Sequence, residues 1–394
     1  MKRILYLTFY FEPDLSACSF RNTPLVKELA RMAGENVVID VITTLPNRYN
    51  TFDAEAPLFE EREGYNVYRV SVPKHNSGMK DQIMSFKVFY GEVNKRVKNV
   101  DYDLVVASSS RLFTGYLGYT IAKRNQIPLY LDIRDIFVDT IKDVVKNKLV
   151  KLVMLPALKR IEKVTFGYAK HINLISEGFK SYFKEYNQAT YSYYTNGIDD
   201  AFIDVALSDK VQTESSIVKR IVYAGNIGEG QGLHKVIPNA ALLLGEEYEF
   251  FVFGDGGAKQ KLLDELKSLH VGNVNIMKPL PRKDLIKEYQ KADFLFIHLN
   301  DYEAFHKVLP SKIFELAMFK KTLVAGVSGY ANSFIKENLP DSILFRPCDY
   351  EEMVVKIRNK NEETIASIDR SDFISKFKRE TINKKMAQSM LELI

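Results

Sequence analysis

Ser311, Lys312 and Glu315 carry the chemistry-bearing pattern with the tightest spacing in this chain. They lie in the stretch 309–326, LPSKIFELAMFKKTLVAG. Pro310 suits the first turn of a helix, because a proline there gives up an N–H that would have no intrahelical partner. On that helix Ser311 and Glu315 share a face, and Lys312 stands three residues before Glu315. A helix start offers unpaired N–H groups and partial positive charge, which together with a lysine can hold phosphate. A carboxylate one turn on can accept hydrogen bonds from a sugar diol. The combination suits a nucleotide-sugar diphosphate. The same pattern also fits a plain amphipathic helix, with Phe314, Leu316, Ala317 and Phe319 in the core and Lys312 and Glu315 as a solvated pair.

Two further loops suggest the same ligand. The stretch 223–233, YAGNIGEGQGL, places Gly225, Gly228, Gly230 and Gly232 where a backbone could approach a diphosphate closely, with Asn226 and Gln231 among them. Its spacing is not that of the dinucleotide fingerprint, and such loops also serve as ordinary turns. The second is FGDGG at 253–257, with Gly254, Asp255 and Gly256. In the first half, Asp132, Arg134, Asp135 and Asp139 follow an apolar run. Asp135 is a candidate general base. Arg21 could face a ligand or cap a helix, and Asp132 with Arg134 could form a salt bridge at a strand end. His306 and Lys307 precede the helix described above. Gly-x-Ser-x-Gly, the phosphate-binding Walker A loop and the two-histidine metal helix are all missing from the sequence.

Apolar runs at 4–10, 37–43, 65–72, 104–107, 129–133 and 171–175 read as buried strands, with helical patterns at 22–33, 81–97, 113–124 and 177–185. The run 191–194 closes this half, and Asn196–Gly197–Ile198–Asp199 reads as a turn and linker. A second series follows: strands at 221–224, 249–253, 275–276, 294–298 and 322–325, and helices at 233–244, 258–269, 281–289 and 331–337. A polar-rich helix at 371–393 ends the chain. Alternation of this kind predicts two doubly wound α/β domains, 1–195 and 200–370, followed by a helix over 371–394.

The 394 residues suffice for two such domains, and 46% hydrophobic with 27% charged residues is ordinary for a globular chain. A net charge of +5 is too small to imply nucleic acid. Two distant cysteines, Cys18 and Cys348, provide neither a disulfide framework nor zinc spacing, which suits a reducing cytoplasm. The apolar start stops at Glu12 and reads as a first strand rather than a leader. No run is long enough to span a bilayer. The charge is uneven: the segment 142–170 carries +6, leaving −1 for the rest of the chain. It is also rich in valine and leucine and is expected to break at Pro156. It reads either as an interfacial helix pair on anionic lipid or as a pair with a solvated basic face.

Taken in order, the apolar first strand with Pro13, SE at 176–177, NGID at 196–199, YAGNIGEGQGL, FGDGG and PSKIFELA at 310–317 resemble glycosyltransferases of family 4. The resemblance spans nearly the whole chain. It is nearest to bacterial hexosyltransferase-type enzymes that move an N-acetylated amino-deoxysugar, such as N-acetyl-L-fucosamine, in O-antigen, lipopolysaccharide or capsule polysaccharide biosynthesis. It implies the GT-B fold: two Rossmann-like domains facing a central cleft, the first binding acceptor, the second binding donor, and a last helix crossing back to the first. It further implies retaining transfer from a UDP-sugar to an undecaprenyl-diphosphate-linked acceptor, with no metal and no cofactor, by a cytoplasmic enzyme peripheral on the inner face of the inner membrane.

By position, the resemblance assigns donor binding to Gly225, Asn226, Gly228, Gln231, Gly254, Asp255, Gly256, Ser311, Lys312 and Glu315. It leaves Arg21, Arg134, Asp135 and His306 for the acceptor side, and Asp135, Lys307 and Lys312 for catalysis. The chain departs from the family pattern in three places. Lys307 stands eight residues before Glu315, where a glutamate is usual, and Glu303 is the nearest acid. Asn226 and Gln231 stand for the usual arginine and lysine. The loop 14–19 lacks the common paired glycines. Two alternatives follow: a sugar-nucleotide epimerase of the same fold, and a catalytically silent binding subunit.

Overall fold

The computed structural model describes residues 1–14, 16–47, 55–73, 79–109, 112–144, 148–208, 218–360 and 369–394. Leu15 of the loop 14–19 and residues 145–147 of the basic segment lie outside them. The chain divides into two units, Met1–Asn196 with Glu380–Ile394, and Gly197–Arg379.

The first unit is built on eight strands: β1 Lys2–Leu7, β2 Val37–Thr44, β3 Phe59–Arg62, β4 Tyr65–Val70, β5 Leu104–Ser109, β6 Leu129–Ile133, β7 His171–Leu174 and β8 Thr190–Ser192. Their order is β3-β4-β2-β1-β5-β6-β7-β8. The pairings are parallel except β3 with β4. Parallel sheets are covered on both faces, so their strands are apolar without alternation; β5 and β6 are buried at every position. The core joins Tyr6, Leu25, Val26 and Leu29 to Met386, Ala387 and Met390 of the last helix.

The second unit has six parallel strands: β9 Lys219–Asn226, β10 Tyr248–Asp255, β11 Val274–Met277, β12 Phe294–His298, β13 Thr322–Gly326 and β14 Ile343–Phe345. Their order is β11-β10-β9-β12-β13-β14, so the chain winds outward in one direction from β9 and in the other from β12. Such a reversal point opens a crevice beyond the carboxyl ends of the two central strands. The register agrees. β9 pairs with β10 as far as Asn226 opposite Asp255, whereas β9 and β12 pair at Phe294–Ile221 and Leu295–Val222.

Four sequence expectations are corrected. The run 177–185 is a single 3₁₀ turn, Glu177–Phe179, capped by Ser176, rather than a helix. Pro156 does not break the basic segment: one helix, Lys148–Tyr168, passes through it. Pro156 itself is exposed, while Leu158, Glu162, Thr165 and Phe166 continue one buried stripe beyond it. The terminal helix is two helices, Ser371–Phe377 and Arg379–Leu391, because Lys378 turns extended and bridges Ile198. The edge strand β3, FEER, lies where the apolar pattern predicts no strand; it is joined to β4 by a tight turn in which Gly64 has φ 77°.

Candidate active site

Gly225 and Asn226 end β9, and Gly254 and Asp255 end β10 directly beside them. The loops that follow are laced together: Ile227 N donates to Asp255 O at 2.8 Å and Ala258 N to Ile227 O at 2.9 Å. Asp255 folds one oxygen back onto Gly256 N at 2.9 Å. Across the glycine loop, Asn226 Nδ2 donates to Gln231 Oε1 at 2.9 Å. Gly228 lies beneath this amide pair, and a Cβ there would fall 2.4 Å from Asn226 Nδ2. Asn226 and Gln231 thus form a neutral clasp.

The helix carrying Ser311, Lys312 and Glu315 is shorter than its sequence suggests: five residues, Lys312–Leu316, entered through Ser311 with no side-chain cap. Ile313, Phe314, Leu316, Ala317, Met318 and Phe319 are all buried in the core, which halts the helix and turns the chain into β13. Lys312 Nζ and Glu315 Oε2 close on each other at 2.7 Å. This is the solvated pair rather than a lysine already directed at an anion. Both side chains are partly exposed, so opening the pair costs no more than about 1 kcal/mol, and a diphosphate could take over Lys312.

His306 binds Asp301 at 3.2 Å on the surface of the second unit, in the 3₁₀ turn Glu303–Lys307 that also carries Lys307. The central histidine is His298 at the end of β12, which the sequence reading passed over. It is buried; Nδ1 faces Gln231 O at 2.6 Å and Nε2 faces Cys348 N at 2.9 Å. A carbonyl only accepts and a backbone N–H only donates, so the ring is neutral with its proton on Nδ1. Burial pulls its pKa down to about 4, with the carbonyl of Gln231 opposing the shift. Asn300, two residues on, is also buried. The available signal was a histidine and an asparagine alternating with Leu299 at the carboxyl end of a predicted strand.

A pH prediction follows from His298. The folded value lies below the unfolded one, so the unfolded chain binds the extra proton. The contribution of neutral His298 is therefore complete above the ordinary histidine pKa of 6.5 and is lost as pH falls toward 4. In thermal melts, His298→Phe is expected to cost less stability relative to the parent at pH 4 than at pH 7, by roughly 3 kcal/mol. An equal cost at both pH values would contradict this.

In the first unit, Arg21 is not a ligand-facing cation. It is buried and holds Asp132 through Nε to Oδ2 and Nη2 to Oδ1, both 2.9 Å. It also donates to Thr195 O at 2.7 Å and Tyr194 O at 2.9 Å. Asp132 takes further bonds from Ser108 Oγ and Asn173 Nδ2. Burial alone would raise the Asp132 pKa, but the charge and hydrogen bonds of Arg21 hold it below the ordinary carboxylate range. Arg134 donates to Ala17 O at 3.1 Å, while its Nε and Nη1 are buried with no hydrogen-bond partner. Asp135 beside it is exposed. Arg134 and Asp135 thus remain together past the carboxyl end of β6, while Arg21 belongs to the core. Among the described residues, no group of three or more His, Cys, Asp or Glu could hold a metal ion, and no helix is long and apolar enough to cross a membrane.

Two parallel α/β units with this strand order define the GT-B fold. Sucrose-phosphate synthase from Thermosynechococcus elongatus aligns with a TM-score of 0.76 at 13% identity, covering 100% of this chain and 99% of that one. Anabaena HepE, solved in complex with UDP and glucose, aligns with a TM-score of 0.69 at 15% identity over 100% of both chains. Residues 208–376, which contain the glycine loop and the Ser311–Glu315 segment, match the family described as glycosyl transferases group 1. A curated relative, the putative colanic acid biosynthesis glycosyl transferase WcaI of Escherichia coli (strain K12), is 30% identical over 142 residues. That match covers 36% of this chain and 35% of the relative's length.

Proposed function

We propose that this chain is a metal-independent, retaining glycosyltransferase that takes a sugar from a UDP-sugar bound in its second unit. The observation that carries the reading is the glycine loop at the reversal point of the second sheet, laced to the β10 loop beside it, inside the segment matching glycosyl transferases group 1. An acceptor hydroxyl oxygen forms a bond to the anomeric carbon while the bond from that carbon to the phosphate oxygen breaks. The diphosphate leaves with the electron pair. Lys312, Lys307 and loop N–H groups stabilise its growing charge, and the leaving phosphate receives the hydroxyl proton.

The finer reading is transfer of an N-acetylated amino-deoxysugar to an undecaprenyl-diphosphate-linked saccharide in O-antigen or capsule assembly. The motif set supports it, and the colanic acid biosynthesis named for the Escherichia coli relative supports its polysaccharide-assembly part. The test is transfer of labelled sugar from UDP-donors to a lipid-linked acceptor, with and without chelator. Acceptor-dependent transfer unchanged by EDTA supports the proposal. Conversion of the donor without acceptor supports the epimerase, and UDP binding without turnover supports the silent subunit.

The same reading places the enzyme on the cytoplasmic membrane face through the helix Lys148–Tyr168. There Leu152 and Val153 are 72% and 76% exposed, on an element that also presents Lys159, Arg160 and Lys163 to solvent. Co-sedimentation with anionic vesicles is expected to fall several-fold in K159E/R160E/K163E and at high salt. Binding indifferent to both would exclude this surface.

A further inference from the structure

The glycine loop 228–232 has little side-chain mass to hold it, yet its carbonyls are tied down one after another. Glu229 O accepts from Asn300 Nδ2 at 3.0 Å. Gly230 O accepts from Asn300 N at 2.8 Å. Gln231 O accepts from His298 Nδ1 at 2.6 Å. Three successive peptides are thus drawn toward the end of β12 by two residues. We propose that His298 and Asn300 are positioning residues that set the glycine loop to receive a diphosphate. This rests on the donor-site reading above.

The physical argument concerns the direction of the peptide dipoles. In a planar trans peptide the C=O and the following N–H point opposite ways. Carbonyl oxygens left facing a phosphate would repel it, whereas N–H groups attract it. Engaging three carbonyls on the β12 side removes that repulsion; of the N–H groups that follow them, those of Gln231 and Gly232 turn in to Gly228 O at 3.2 and 3.4 Å, and that of Gly230 is left for the anion.

The clamp is itself rigidly held. His298 packs beside the rings of Phe296 and Phe345, at centroid distances of 6.2 and 5.9 Å, and those two rings lie 6.3 Å from each other. Its Nε2 is occupied by Cys348 N, a residue held at φ 65° just past β14. Asn300 Oδ1 collects Lys235 Nζ at 2.9 Å, Asp301 N at 3.0 Å and Cys348 Sγ at 3.3 Å. Gly326, at the end of β13, is what lets the ring sit there: a Cβ would fall 2.3 Å from His298 Cδ2. The ends of β9, β12, β13 and β14 are therefore locked through one imidazole and one amide. Both side chains are buried, so they act through the loop rather than on the ligand.

Isothermal titration with UDP and with uridine separates this role from general support of the fold. His298→Phe keeps the aromatic stack and loses both hydrogen bonds. Asn300→Asp keeps the Oδ1 acceptor but sets an oxygen against Glu229 O. In each variant the Kd for UDP is expected to rise by about tenfold or more while that for uridine changes by less than about twofold, since the loop serves the diphosphate and not the base. His298→Asn, which returns a donor near the Nδ1 position, is expected to recover most of the loss. Amide exchange at 228–232 should quicken in His298→Phe without any ligand. Equal effects on both ligands, or no effect on either, overturn the clamp. A parent protein that binds no UDP overturns the donor-site reading instead, and unchanged amide exchange at 228–232 then overturns the clamp as well.

Discussion

Arg21→Ala is expected to destabilise the protein by about 3–5 kcal/mol, the cost of leaving a buried carboxylate without its cation. Asp132 is fully buried, and Arg21 supplies two of its hydrogen bonds and its counter-charge. The same guanidinium donates to the carbonyls of Tyr194 and Thr195, and both of these bonds are lost along with the ion pair. Arg21→Lys should recover little, because an ammonium cannot reproduce the planar two-pronged contact. Urea unfolding of the two variants provides the measurement. A loss below about 1 kcal/mol would show that the pair contributes no more than a surface ion pair. The double variant Arg21→Met/Asp132→Leu should be more stable than Arg21→Ala, since it leaves no unpaired buried charge.

Lys312→Ala is expected to lower kcat/KM for sugar transfer by about 100-fold or more, the loss typical of removing one group that stabilises a leaving anion. Its effect on folding should stay below about 1 kcal/mol, because the partner it loses is a partly exposed carboxylate 2.7 Å away. Glu315→Gln should act chiefly on the donor KM, since an amide still accepts a hydrogen bond from a diol but no longer attracts Lys312. Steady-state kinetics with varied donor separates the two effects. Wild-type transfer rates in Lys312→Ala would remove this lysine from the donor site.

Much of the fold is legible in local patterning. The central strands of both sheets, β1, β5, β6, β9, β12 and β13, are short, largely apolar runs, and their alternation with helices leaves a parallel, doubly wound arrangement as the economical solution. Phe314, Leu316, Ala317 and Phe319 were core by periodicity and are core in the structure. The misread elements are those where a distant partner overrides local pattern. Lys378 breaks a helix because Ile198 pairs with it, 180 residues away in the sequence. Pro156 fails to break one because the buried stripe beyond it holds the helix in register.

The candidate site divides along the same line. The amino-acid sequence alone determines which loops are glycine-rich, that they follow β9 and β10, and that a serine, a lysine and a glutamate gather at one helix, since all of these are features of neighbouring residues. Tertiary structure decides which charges are available. Arg21 is consumed by Asp132 across 111 residues, Asn226 and Gln231 pair with each other, and Lys312 rests on Glu315. It also decides that His298 and Asn300, unremarkable in sequence, hold three consecutive carbonyls of the glycine loop. A hydrogen bond is set by distance and angle at ångström scale, and residue order specifies neither until the two strand ends have been brought side by side.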